Sequence, residues 1–172
     1  VALGGAPELY QSAMLVLDRL GIEIVEMENA TRTGAGILQE RNRKLGDALN
    51  VRTFAQAEDL GLPIMTICST CQGVMSQAQH AVSRDDSYLS EINDFIAPEG
   101  LEYRGTTVTK HLLWILVEEY GLDRLREHFD RDLSGLKLAP FYGCYLVRPS
   151  DQLGFAEVPE RETSLEQVIE AT

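Results

Sequence analysis

Cys68-Ser-Thr-Cys71 is the segment whose residue types and spacing carry chemistry most directly. It places two thiols three residues apart, where a short β-rich run meets a helical pattern. Thiols so placed can share a metal ion or close a disulfide, and a helix N-terminus favours the thiolate. Three chemistries compete. In a redox dithiol, Cys68 attacks and Cys71 resolves. In a zinc site the pair is half the ligand set, but no second cysteine pair or cysteine–histidine pair stands at finger spacing. In an iron–sulfur site the pair joins cysteines from distant segments. Two inert, buried cysteines are the plain alternative, which a single Cys-x-x-Cys does not exclude.

The other candidates are weaker on their own. The loop Asn29-Ala-Thr-Arg-Thr-Gly34-Ala-Gly36 follows a β-rich run and precedes a helical one, but it lacks the third glycine of a dinucleotide-binding fingerprint. Cys144, in Phe141-Tyr-Gly-Cys144-Tyr-Leu-Val-Arg148, reads by itself as a small buried hydrophobe. His111 opens an apolar face and reads as a core or boundary residue. His80 and His128 read as helix-surface residues, and Trp114 as packing.

The elements that must position these residues follow from periodicity. Residues 7–20 predict a helix with Leu9, Ala13, Val16, Leu17 and Leu20 on one face, and Gly21 stands where a C-terminal cap belongs. Residues 22–27 predict a strand, and 31–36 a loop with Gly34 and Gly36 as breakers. Residues 38–60 predict a helix broken near Asn50 and ending at Gly61. Residues 63–67 then predict a short strand that delivers Cys68 at its carboxyl end. Further helices are expected over 72–82, 88–96, 108–120 and 122–129, and a strand over 136–139 leads to Cys144. Thr163-x-x-Glu166 matches a capping box before a last helix. This order predicts an α/β layered domain with a short, largely parallel sheet flanked by helices.

Composition bounds the function. The chain has 172 residues, 44% hydrophobic and 24% charged, as ordinary globular proteins do. Its net charge of −12 argues against a nucleic-acid partner. The basic cluster Arg41, Arg43, Lys44 and Arg52 reads as a solvated helix face. No apolar run approaches the roughly 20 residues of a membrane-spanning helix, and the opening VALGGAPELYQ does not read as a secretory signal. Three cysteines in such a chain suggest a reducing, cytoplasmic compartment, where thiols serve redox or metal chemistry. An apolar first tripeptide and an unfinished last helix read as a piece of a longer chain.

Together these pieces resemble the CCG cysteine-rich domain family, which includes the B subunit of heterodisulfide reductase and related subunits of thiol:fumarate reductase and of some succinate dehydrogenases. That family carries a cysteine, then Cys-Cys-Gly after a strand, then Cys-x-x-Cys thirty-odd residues on, usually twice per chain. Here LDRLGIEIVEMEN is similar to the helix and strand before Cys-Cys-Gly, and Gly34 matches its glycine. Residues 35–67 separate Gly34 from Cys68, and GLPIMTICSTC is similar to the strand running into Cys-x-x-Cys. GLEYRGTTVTKHLLWILVEEYGL and SGLKLAPFYGCYLVRPS resemble the link to a second motif and its opening cysteine, Cys144.

The resemblance implies a [4Fe-4S] cofactor, with Cys68 and Cys71 as thiolate ligands in a first site and Cys144 in a second. Gly34 would let the loop backbone approach the cluster. It also implies a first cysteine-rich domain over 1–135, the start of a second over 136–172, and other subunits of a redox complex as partners, with peripheral membrane association of the parent complex. The sequence departs from the pattern at Arg32 and Thr33, which stand where the family has Cys-Cys. The cluster is therefore expected to be absent or incomplete in this chain. A stand-alone dithiol oxidoreductase using Cys68 and Cys71, and a cofactor-less binding scaffold, remain the rival functions.

Overall fold

The computed structural model describes residues 5–131 and 133–172; the first four residues of the opening stretch, and Asp132 within the expected first domain, lie outside them. Helix α1, Pro7–Leu20, has proline in its first turn, where no amide donor is lost, and ends on Gly21 at φ 66°. Ala13, Leu17 and Leu20 bury the expected face, whereas Leu9 and Val16 on the same stripe stay exposed.

Residues 22–27 form no strand, contrary to the periodicity. The segment is instead held at its ends, where Ile22 and Met27 pack against different clusters, and by a bond from Tyr10 to Glu26. No ladder partner reaches it among the described residues.

The next helical stretch breaks at Asn42, not at Asn50. Helix α2, Leu38–Arg41, stops there, and the Asn42 side chain accepts the Leu45 amide at 3.1 Å to start α3, Arg43–Leu60. Asparagine serves well at such a cap because its short side chain satisfies an orphan donor. Asn50 instead lies buried within α3, donating to the Gly46 carbonyl at 2.8 Å.

After Gly61, β1 (Ile64–Thr66) leads to α4 (Ser69–Arg84) and α5 (Asp86–Ile96). The chain then returns as β2, Thr109–His111, parallel to β1, with Ile64 opposite Thr109 and Thr66 opposite His111. The expected α/β layering with a short parallel sheet is present. The helix expected over 108–120 begins only at Leu112. The β-branched run 106–109 favours extended backbone, and pairing to β1 extends it through His111.

Val51, Phe54, Ala55, Ala78, Val82 and Ile92 of α3, α4 and α5 form the main core, under Tyr103. Past β2 the elements shorten: α6 (Leu112–Ile115), a π-helical turn (Leu116–Tyr120), α7 (Leu122–Arg126), α8 (Cys144–Val147) and α9 (Ser164–Glu170). Two small clusters hold this region, Leu20–Tyr120–Leu125 and Trp114–Leu146–Leu153. Arg161 lies 4.4 Å over the Trp114 ring and reaches Glu118 at 2.6 Å, while Lys110 reaches Glu118 at 2.8 Å.

Residues 136–139 form no strand; Leu136 and Leu138 are exposed and find no sheet edge. The capping box at Thr163 does not form either. The Thr163 hydroxyl accepts from Gln167 at 3.1 Å, and Glu166 is taken by the Tyr142 hydroxyl.

Candidate functional site

β1 hands the chain to α4 through Ile67 and Cys68. Cys68 is the N-cap residue in extended backbone, φ −119° and ψ 119°, and Cys71 lies in the first turn of α4. The expected placement of the pair, Cys68 beyond the carboxyl end of the strand and Cys71 entering the helix, is therefore observed. The junction is fixed from below by Gln72, fully buried, which accepts from the Thr66 hydroxyl at 2.8 Å. Its amide donates to Ser76 at 3.0 Å and to the Thr109 carbonyl at 3.1 Å, tying the first turn of α4 to both strands. Buried polar groups are costly unless paired, so this network sets the pair's position.

Both sulfurs are half-buried and free. Burial pushes the Cys68 thiol up, but amides of Cys71 and Thr70 and their side chains bond its sulfur and bring it below its ordinary value. Burial pushes Cys71 up, a bond from Thr33 partly opposes this, and the neighbouring Cys68 charge adds to the rise. The two thiols are thus unequal, with the favoured thiolate at the helix mouth and the protonated partner one turn in.

The loop before α2 comes over this pair. Thr33 donates from its hydroxyl to the Cys71 sulfur at 3.6 Å. Its carbonyl accepts from the buried Asn50 amide at 3.1 Å, and Thr31 is tied to the Leu49 carbonyl at 2.9 Å. Gly34 turns the loop at φ 71°, and a Cβ there would fall 2.6 Å from Leu38 Cδ1. Only glycine takes that backbone easily in that space. Arg32 is exposed and has no ion-pair partner among the described residues.

His111, read from sequence as a packing residue, closes β2 beside this junction. Burial pushes it down to about 4, against a bond to the Ile67 backbone, so its ring is neutral and its Nδ1 accepts the Leu113 amide at 3.2 Å. Finding it required the β1–β2 pairing. His80 is partly buried on α4, and His128 is an exposed residue bonded to the Tyr120 hydroxyl at 2.7 Å.

Cys144 is exposed, not buried, at the head of α8. It lines an open depression of about 610 Å³ with Gln77, Tyr145, Arg148, Pro149, Ser150 and Asp151; Cys68 and Cys71 do not line it. Yet α8 lies hard against α4. A Cβ on Gly143 would come within 2.3 Å of Ser69 Oγ, and one on Gly73 within 2.4 Å of the Tyr145 carbonyl oxygen. Sequence reasoning missed both glycines, whose only signal is their small size opposite another element. Among the described residues, no three His, Cys, Asp or Glu side chains converge as a metal-binding group. No helix among them is long and apolar enough to cross a membrane.

Comparison with known proteins agrees with the motif reading. Residues 2–76 match the family model described as CCG, cysteine-rich domain. The 8-methylmenaquinol:fumarate reductase membrane anchor subunit of Wolinella succinogenes is 34% identical over 96% of this chain and 57% of its own length. The B subunit of the ferredoxin/F(420)H(2)-dependent CoB-CoM heterodisulfide reductase of Methanosarcina acetivorans is 28% identical over 96% of this chain and 55% of its own. A protein of Archaeoglobus profundus described as like the heterodisulfide reductase B subunit is 30% identical over 60% of this chain. The chain spans just over half the length of the first two relatives.

Proposed function

We propose, for a chain whose residues 2–76 carry the CCG cysteine-rich domain, that it serves as an electron-transfer subunit of a multisubunit oxidoreductase. We place its chemistry with heterodisulfide–thiol or succinate–fumarate redox, a reading supported by relatives named heterodisulfide reductase and fumarate reductase subunits. Its partners are other subunits of that complex, and it works in the cytoplasm or at the membrane periphery. Residues 1–135 form a first cysteine-rich domain and residues 136–172 open a second. Cys68 and Cys71 are the thiolates kept from the first iron–sulfur position, Gly34 keeps the loop close to them, and Cys144 opens the second position.

The observation that carries this reading is the Thr33 hydroxyl on the Cys71 sulfur at 3.6 Å. The loop that bears Cys-Cys-Gly in the family pattern lies over Cys-x-x-Cys here, although Arg32 and Thr33 replace both cysteines. A cubane cluster normally takes about four thiolates. The residues present at the first position do not fit one: two thiolates face a hydroxyl, and no third ligand joins them among the described residues.

The reading is tested by restoring the missing ligands. The double variant Arg32→Cys, Thr33→Cys, in a chain extended to include an upstream cysteine, is reconstituted anaerobically. Iron, acid-labile sulfide and the visible spectrum are then measured. Binding of iron and sulfide with a thiolate charge-transfer band, beyond that of the unsubstituted chain, supports the reading. Equal loading of both chains overturns it.

A further inference from the structure

The disagreement between the retained pair and a four-thiolate cluster leaves two sulfurs with a chemistry of their own. They differ in setting. Cys68 precedes the helix, in extended backbone, whereas Cys71 is held within the first turn. Residues three apart on a helix have Cβ atoms about 5–6 Å apart, and a disulfide needs about 3.5–4.5 Å. A cap residue can close that gap, whereas two interior residues cannot. Where Arg32 and Thr33 stand there is no thiolate to compete for either sulfur, and both sulfurs are partly open to solvent.

We infer that Cys68 and Cys71 form a two-electron dithiol–disulfide couple that reduces small exposed disulfides, with Cys68 attacking and Cys71 resolving. The Cys68 thiolate attacks one sulfur of R–S–S–R′. A Cys68–S–R bond forms, the S–S bond breaks, and R′S⁻ leaves to take a proton from solvent. Cys71 then gives up its proton and attacks the Cys68 sulfur, closing the Cys68–Cys71 bond and expelling RS⁻, which is protonated in turn. Two electrons pass from the protein dithiol to the substrate disulfide, and a dithiol reductant resets the pair. Thr33 is a positioning residue in this scheme, because its hydroxyl holds the resolving sulfur. Cys144 lines a depression that neither Cys68 nor Cys71 lines, and in this scheme it takes up an adduct that the pair does not resolve.

The inference goes beyond the proposed subunit role and is tested separately from it. The reduced, iron-free full chain is mixed with 5,5′-dithiobis(2-nitrobenzoic acid), and the released aryl thiol and peptide masses are followed. Release of two aryl thiols from the pair is expected, leaving a Cys68–Cys71 disulfide with no adduct on either, while Cys144 keeps one adduct. Cys71→Ser should trap a stable mixed disulfide on Cys68. In Cys68→Ser the remaining Cys71 should react at least about tenfold more slowly than Cys68 does, because it lies within the first turn rather than at the helix cap. Stable adducts on both Cys68 and Cys71 of the unsubstituted chain overturn the inference, as does a trapped adduct found on Cys71 in preference to Cys68. Neither result touches the ligand-restoration experiment, which reads iron and sulfide.

Discussion

The Cys68–Cys71 pair and Cys144 sit on helices that touch, yet they belong to differently built regions. The pair stands on a strand–helix junction backed by the buried network of Gln72 and by the core of α3, α4 and α5. Cys144 begins a four-residue helix reached through a stretch in which Leu136, Leu138 and Phe141 are exposed. A site whose sulfurs must act together needs positions fixed to within a fraction of an ångström, and long packed elements supply that better than loops do. The difference teaches where chemistry can reside in this chain: in the first region both members of a pair are placed, and in the second a lone thiol is presented.

The largest effect that could break this comparison is on stability. Phe54 is fully buried and Phe141 is 90% exposed. Phe54→Ala should cost about 3–5 kcal/mol in urea unfolding, the usual cost of emptying a core aromatic site. Phe141→Ala should stay within about 0.5 kcal/mol, as surface changes do. Comparable losses would mean that the second region carries a share of the core the contacts do not show.

Next in size is the seam between the regions. Gly73→Ala must place a methyl group 2.4 Å from the Tyr145 carbonyl oxygen, so α8 has to move. A loss of about 1–3 kcal/mol is expected, typical of overpacking, together with faster alkylation of Cys144. Gly46→Ala, within α3 and with its nearest neighbour at 3.4 Å, is the control and should be far milder.

These contrasts also mark what the sequence made legible. The junction at Cys68 could be read because a short β-rich run meets a helical period, both local signals. β2 could not be read: Val108, Leu112 and Ile115 keep a helical spacing, and only pairing with β1, across two intervening helices, makes 109–111 a strand. The same lack of a partner left 22–27 and 136–139 outside any ladder. Asn42 and Asn50 look alike in the local pattern, and the outcome turned on which side chain found an amide to cap. At the site, Cys68, Cys71 and Gly34 were legible from spacing and resemblance. The approach of Thr33 to Cys71, of His111 to Ile67 and of Gly143 to Ser69 is tertiary and leaves no mark on the local pattern.

Acid should weaken both regions, each through one carboxylate. Burial pushes Glu58 up, but the amides of Arg104, Thr106 and Thr107 and the Thr106 hydroxyl outweigh it and hold it below its ordinary value. Burial likewise opposes the fall at Glu118, where Arg161 and Lys110 prevail. A carboxyl lowered in the folded state stabilises above its unfolded pKa and loses that contribution as pH falls through the folded value. Glu58→Gln and Glu118→Gln should each lower stability at pH 7 and flatten its decline below about pH 4.5. A decline as steep in both variants as in the unsubstituted chain would remove these carboxylates from the account.

The smallest expected effect is the most local test of the two thiol settings. Arg32 is exposed and unpaired among the described residues, and it precedes the threonine bonded to Cys71. Arg148 lines the Cys144 depression. Each cation raises the local concentration of an anionic disulfide most at the thiol beside it, because exposed charges act over a Debye length of about 10 Å at 0.1 M salt. Arg32→Ala should slow the reaction of an anionic aryl disulfide at Cys68 by about twofold at low salt and slow Cys144 less. Arg148→Ala should do the reverse. At 1 M salt, where screening shortens to about 3 Å, both differences should vanish, and a neutral disulfide should show neither. Urea midpoints should stay put in both variants, since neither side chain is buried. If Arg32→Ala slowed both thiols equally, or slowed them at 1 M salt, the cation would be acting through structure rather than through its field, and the two settings would not be electrostatically separate.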